Sequence, residues 1–165
     1  MYIFYNKMYV DTEKEVWEGC DVYVARTRKR TDGIMGDFVK YYDGAFCEAG
    51  NLGKETAIVT RSWHPRVLYS KKHQLYFMST SRVHVPAATN VIDDIMEVRT
   101  SKDLVRWSEP TRFLYKGKEF GNHYVAMVAE DTKNQPCEID GDEFSLLTNH
   151  NGTNVMRYKA KFAEK

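Results

Sequence analysis

The 165-residue sequence predicts an all-β chain built of repeated antiparallel units, and three observations carry that expectation. Its periodic stretches, such as QLYFMSTS and IMEVRTS, are short and alternate with period two. Eleven Tyr, 8 Phe and 3 Trp tilt the composition toward strands. The succession of stretches and turn residues recurs at about 50 residues, a repeat length rather than a single-sheet length.

Taken in order, residues 1 to 10, MYIFYNKMYV, alternate aromatic and polar residues and are expected to turn at Asn6-Lys7. After the acidic loop DTEKEVWEG, the run CDVYVARTRKR sets Cys20, Val22 and Val24 against Asp21, Tyr23 and Ala25. DFVKYYDGAF, ending at Phe46, is expected to supply one outer strand, giving this unit three strands. CEAGNLGKET, residues 47 to 56, has Gly and polar residues without periodicity and reads as a loop between repeats.

The central unit runs from Arg61 to Tyr115, with PRVLYS, QLYFMSTS, IMEVRTS and TRFLY as four consecutive strands. IDDIMEVRTSKDLVRW can also be spaced as a helix, but its Thr and Val content favours a strand. In SKDLVRWSEP, Ser101 and Asp103 suit acceptance of hydrogen bonds from turn amides, Leu104 and Trp107 can plug between sheets, and Pro110 ends the turn. A third unit follows Lys116-Gly117-Lys118, with GNHYVAMVAED, DEFSLLTNH and TNVMRYKAKF as strands and Asp140-Gly141 and Asn151-Gly152 as tight turns. The expectation is one domain over 1–165. Residues 1–56 form an incomplete first blade and loop, 57–118 a complete blade and 119–165 an incomplete last blade, about two and a half to three blades of a β-propeller.

Charge excludes some partners. With 24 Lys and Arg against 23 Asp and Glu, the net charge of +1 gives no field to hold a polyanion. The basic cluster Arg26, Arg28, Lys29 and Arg30 reads as a solvated face, so nucleic-acid binding is not expected. No stretch approaches the roughly 20 apolar residues that span a bilayer, and the first residues lack a secretory leader, so a soluble, cytoplasmic chain is expected. Cys20, Cys47 and Cys137 form no C-x-x-C pair and read as free, mostly buried thiols. Neither a metal nor a cofactor is expected.

CDVYVARTRKRTDG, KYYDGAF, WHPRVLYS, SKDLVRWSEP and DEFSLLTNHNGTNVMRYKAKF, in that succession, resemble the C-terminal part of a five-bladed β-propeller of the glycoside hydrolase type, as in families 43 and 32. The resemblance covers nearly the whole chain and implies a truncated propeller. It also implies carboxylates around the mouth of a central channel, because an oxocarbenium-like transition state needs both a base or nucleophile and an acid. The family's first carboxylate lies in a blade that is absent here, and in the similar context Trp63-His64-Pro65 the position holds His64 in place of Asp.

The candidate site follows from that context. Trp63 can stack on a sugar face while Arg61 and His64 donate to hydroxyls; the plainer alternative is that Trp63 packs between blades and His64 caps a strand. Glu119, Asn122 and His123 stand at the equivalent start of the next inner strand, with Glu119 the candidate acid or else a solvated surface residue, and Glu48 is a further carboxylate in a loop. Carbohydrate is thus the expected partner, for a module that hydrolyses glycosidic bonds within a larger or assembled propeller or that only binds. About three, four and three strands leave open edges, so a symmetric homodimer or additional blades from a longer chain is expected.

Overall fold

A computed structural model describes residues 1–14, 16–28, 32–83, 92–122, 124–130, 137–150 and 154–162. Among these residues the regular elements are all strands, arranged in several sheets of which none closes on itself. No helix among them is long and apolar enough to cross a membrane. The expected turn at Asn151-Gly152 lies outside the described residues.

The first sheet holds Tyr2–Asp11 (β1), Val16–Arg26 (β2), Val39–Tyr42 (β3) and Ala45–Ala49 (β4), in that order. No turn forms at Asn6-Lys7. β1 is continuous, with Asn6 opposite Val22 and a bulge only at Tyr9 and Val10. The single outer strand expected up to Phe46 is instead a hairpin, because Asp43 and Gly44 take φ of 45° and 90°, a reversal that an Asp-Gly pair favours. Cys47, Glu48 and Ala49 therefore belong to β4 and not to a loop, and the sheet has four strands rather than three.

The middle sheet is built from Ser62–Ser70 (β5), Leu75–Val83 (β6), Ile92–Ser101 (β7) and Thr111–Arg112 (β8), all antiparallel. TRFLY splits after Arg112. Its end, Leu114–Tyr115 (β9), pairs with Lys118–Glu119 (β10) in a small hairpin whose turn places Lys116 and Gly117 at φ of 52° and 77°. The last elements are Val125–Val128 (β11), Glu138–Ile139 (β12), Glu143–His150 (β13) and Asn154–Lys161 (β14). β11, β13 and β14 form the third sheet, while β12 runs parallel to β5 with Glu138 opposite Tyr69.

The middle sheet is covered on both sides. Leu68, Phe77, Met96 and Val98 pack with Val125, Met127, Phe144 and Leu146 of the third sheet. Met78 and Val67, their neighbours in sequence, pack with Val22 and Phe4 of the first sheet. The turn after β7 sits beside this second core, as its residues suggest. Ser101 Oγ accepts from the amides of Asp103 and Leu104 at 3.2 and 2.9 Å, and Asp103 Oδ1 from those of Val105 and Arg106 at 3.0 and 2.7 Å. Leu104 is buried, and half-buried Trp107 packs against Val22, Val59 and Met78 with its ring edge-on to Phe4, a burial worth about 2 kcal/mol. Of the three free thiols only Cys20 is buried, its pKa pushed up to about 12 by burial and then by Asp21, while Cys47 and Cys137 are exposed.

The chain between the first and middle sheets is anchored by Glu55. Its carboxylate accepts from Tyr5 Oη at 2.8 Å and pairs with Lys40 at 2.8 Å and Lys7 at 3.0 Å. Burial pushes this carboxyl up, but the hydrogen bonds from Lys40, Tyr5 and Lys7 together outweigh it and hold the pKa at about 2. A folded-state pKa below the unfolded one stabilises fully above the unfolded value, near 4.5, and that contribution is lost as pH falls toward 2. Glu55→Gln is expected to lose about 2 kcal/mol at neutral pH and to show a flatter stability profile than the parent between about pH 5 and 2. Urea melts of both proteins across that window check this; parallel curves would refute it.

Candidate functional site

The entry to β5 has two residues in left-handed backbone on either side of Trp63. Arg61 and His64 take φ of 50° and 53°, in the left-handed region that costs a residue with a Cβ roughly 1–2 kcal/mol. The first sheet holds them there. Asp21 Oδ1 accepts from the Arg61 amide at 2.9 Å, and Asn6 Oδ1 accepts from the His64 amide at 2.9 Å. The Asn6 side-chain amide donates to the carbonyls of Ser62 at 3.0 Å and Asp21 at 3.1 Å. Pairing with β6 jumps from Trp63 opposite Ser81 to Arg66 opposite Ser79, so His64 and Pro65 together face one residue. Such a bulge re-aims side chains.

What the bulge presents is a cluster of rings. His64 lies 4.6 Å from Trp63, tilted by 39°, and 4.5 Å from Tyr124, nearly parallel at 23°. Trp63 and His64 are half-buried, and Tyr124 is 51% exposed. Tyr124 comes from the third unit, just before β11, and Asn122 positions it. The Asn122 Oδ1 accepts from the Tyr124 amide at 3.3 Å, its Nδ2 donates to the Asn149 carbonyl at 3.2 Å, and its own carbonyl accepts from Ser81 Oγ at 3.5 Å. All three sheets thus contribute to this place.

Of the residues singled out from sequence, Arg61, Trp63, His64 and Asn122 come together, Asn122 as a support whose amide is engaged by backbone. His123 lies outside the described residues. Glu119 does not open an inner strand; it ends the exposed β9–β10 hairpin, where its carboxylate pairs with Arg112. Glu48 sits in β4 and accepts from the Lys54 amide at 3.2 Å, which shapes the following turn. Sequence reasoning missed Tyr124, Asn6 and Asp21. Tyr124 stands beside Asn122 and His123, whereas Asn6 reads as part of a turn and Asp21 as a solvated carboxylate.

Elsewhere, a depression of about 270 Å³ is lined by Glu130, Glu138, Asp140, Asp142 and Glu143. Its charge is largely answered from within. Glu138 and Asp140 meet Lys71 at 3.4 and 3.0 Å, Asp142 meets Lys72 and also His73 at 2.5 Å, and Glu130 meets Arg157 at 3.1 Å. Among the described residues no three His, Cys, Asp or Glu side chains are grouped to hold a metal ion.

No family model and no curated protein matches this chain. Among solved structures it is similar to an N-acetylgalactosamine deacetylase from F. plautii, crystallised in complex with blood group B trisaccharide, at 13% identity and a TM-score of 0.45. The likeness covers 94% of this chain, which spans 52% of that one, and at this level it fixes neither fold type nor chemistry.

The Asn6 clamp has a measurable consequence. Asn6→Ala leaves the His64 amide and two carbonyls without their partner, an expected loss of about 1–3 kcal/mol. The His64 ring proton shifts, set by the adjoining Trp63 and Tyr124 rings, should move toward random-coil values while the strand amide pattern persists. An unmoved His64 ring would show that Asn6 does not hold the cluster.

Proposed function

We propose that the chain is a glycosidase-related β-propeller module that recognises carbohydrate on the rings of Trp63, His64 and Tyr124. The observation that supports this most is the half-exposed Tyr124 ring lying 4.5 Å from His64, on backbone held in a costly conformation. A pyranose offers a face of C–H bonds rimmed by hydroxyls, so an open aromatic face beside polar groups is the matching surface. Left-handed backbone at residues other than glycine is a feature of ligand sites, and here Arg61 and His64 on either side of Trp63 both adopt it.

Binding has more support than hydrolysis by this chain alone. Hydrolysis needs two carboxyl groups about 5–10 Å apart across the sugar. Asp21, beside Arg61, is committed to a backbone amide, and Glu119 to Arg112. A hydrolytic role fits a larger or assembled propeller in which other blades bring carboxylates. The reading is tested by following backbone amides in an NMR titration with neutral gluco-, galacto- and xylo-oligosaccharides and N-acetylhexosamine oligomers. Shifts are expected at residues 61 to 64 and at Tyr124, and Trp63→Ala should abolish them with little change in the urea midpoint. No shift with any sugar, together with an unfolded Trp63→Ala, would mean that the rings are core.

The partner side of the proposal concerns open edges. Among the described residues, β1 and β14 pair on one side only. β1 exposes Tyr2, Ile3, Met8 and Val10, and β14 exposes Val155 and Met156. We propose that a second copy, or further blades of a longer chain, covers them, since long apolar edge strands otherwise pair indiscriminately. Light scattering at micromolar concentration should report a dimer or larger species; a dispersed monomer would overturn this part.

A further inference from the structure

Two arginines bracket the ring cluster, Arg61 ahead of Ser62 and Trp63, and Arg66 after His64 and Pro65. Both are exposed, and neither guanidinium forms an ion pair among the described residues. Other arginines of the chain do. Arg99 meets Glu97, Arg112 meets Glu119 and Arg157 meets Glu130. Arg66 donates from Nη1 to the carbonyl of Pro65, its neighbour in the bulge, at 3.1 Å. The position of Arg61 is fixed at its amide by Asp21. Lys7, opposite Asp21 in the β1–β2 register, is neutralised by Glu55 at 3.0 Å, so the positive charge beside the rings comes from the two guanidinium groups.

We infer that the saccharide this site takes is acidic, carrying a carboxylate that one or both of these arginines receive. The inference rests on the carbohydrate reading above and specifies its ligand. Two residues of extended chain span at most about 7 Å, so a sugar lying on the rings is within reach of either side chain. A guanidinium presents a flat fork of donors that matches a carboxylate with two parallel hydrogen bonds. A neutral sugar offers the fork only single, uncharged hydroxyl acceptors, which repay the desolvation of a guanidinium less well.

The experiment compares tetragalacturonate with its carboxyl-reduced, neutral tetrasaccharide, titrated separately into the full chain and read from the amides of residues 61 to 66 and Tyr124. The acidic tetramer is expected to bind at least tenfold more tightly, and its affinity should fall as sodium chloride is raised. Arg61→Gln and Arg66→Gln together should bring its affinity down to that of the neutral tetramer. Lysine at both positions, which keeps the charge and loses the fork, should restore part of the difference. Far-UV circular dichroism confirms folding of each variant. Equal affinity for the two tetramers overturns the acidic ligand and leaves carbohydrate recognition standing. Acidic binding that ignores both arginine substitutions overturns the assignment to these residues. Binding of neither tetramer by the folded chain overturns the inference, and silence toward the wider neutral panel as well overturns carbohydrate recognition itself.

Discussion

Side chains alternate across a strand, so a sheet in which Val67 is followed by Leu68, and Phe77 by Met78, has no face to give to water. Everything else in this chain answers that constraint. The first sheet covers Val67 and Met78 with Val22 and Phe4, and the third covers Leu68 and Phe77 with Phe144 and Leu146. The Ser101–Asp103 turn, which sets Leu104 and Trp107, is a local device for the same end, because the hydroxyl and carboxylate satisfy amides that would otherwise compete with packing.

The ring cluster is a product of that layering. No single unit could build it, since the strained segment belongs to the middle sheet, its clamp to the first and the half-exposed Tyr124 ring to the third. A residue such as Asn6, with one side chain serving three backbone groups, converts the packing of two sheets into the position of a third element. Precision at the surface is obtained here from order in the interior.

Much of the fold was legible in the sequence because strand periodicity is a local signal. β5, β6, β7, β13 and β14 lie where alternation places them, and the roles of Ser101 and Asp103 follow from their chemistry. β4 was missed because its few residues follow an Asp-Gly pair that was read as the interior of a strand, and the β9–β10 hairpin because Lys116-Gly117 was read as a boundary between units. Of the site, Trp63, His64 and Arg61 carried a local signature, whereas Asn6 and Asp21 act across a sheet boundary that no spacing in the sequence reveals. Glu55 belongs to the same class. Only the approach of Tyr5, Lys7 and Lys40 from two strands distinguishes it from any other loop carboxylate.

The short strand β12 ties distant parts of the chain together. Its partner is not a neighbour in the chain but β5, to which it runs parallel, with the Tyr69 amide also donating to the Cys137 carbonyl and the Lys71 amide to that of Ile139. A parallel partner cannot be joined by a tight turn, so this pairing is a contact between segments far apart in the chain. The segment between β11 and β13 is thereby tied to the middle sheet by backbone bonds, so the third unit is joined to the second by a ladder as well as by its core.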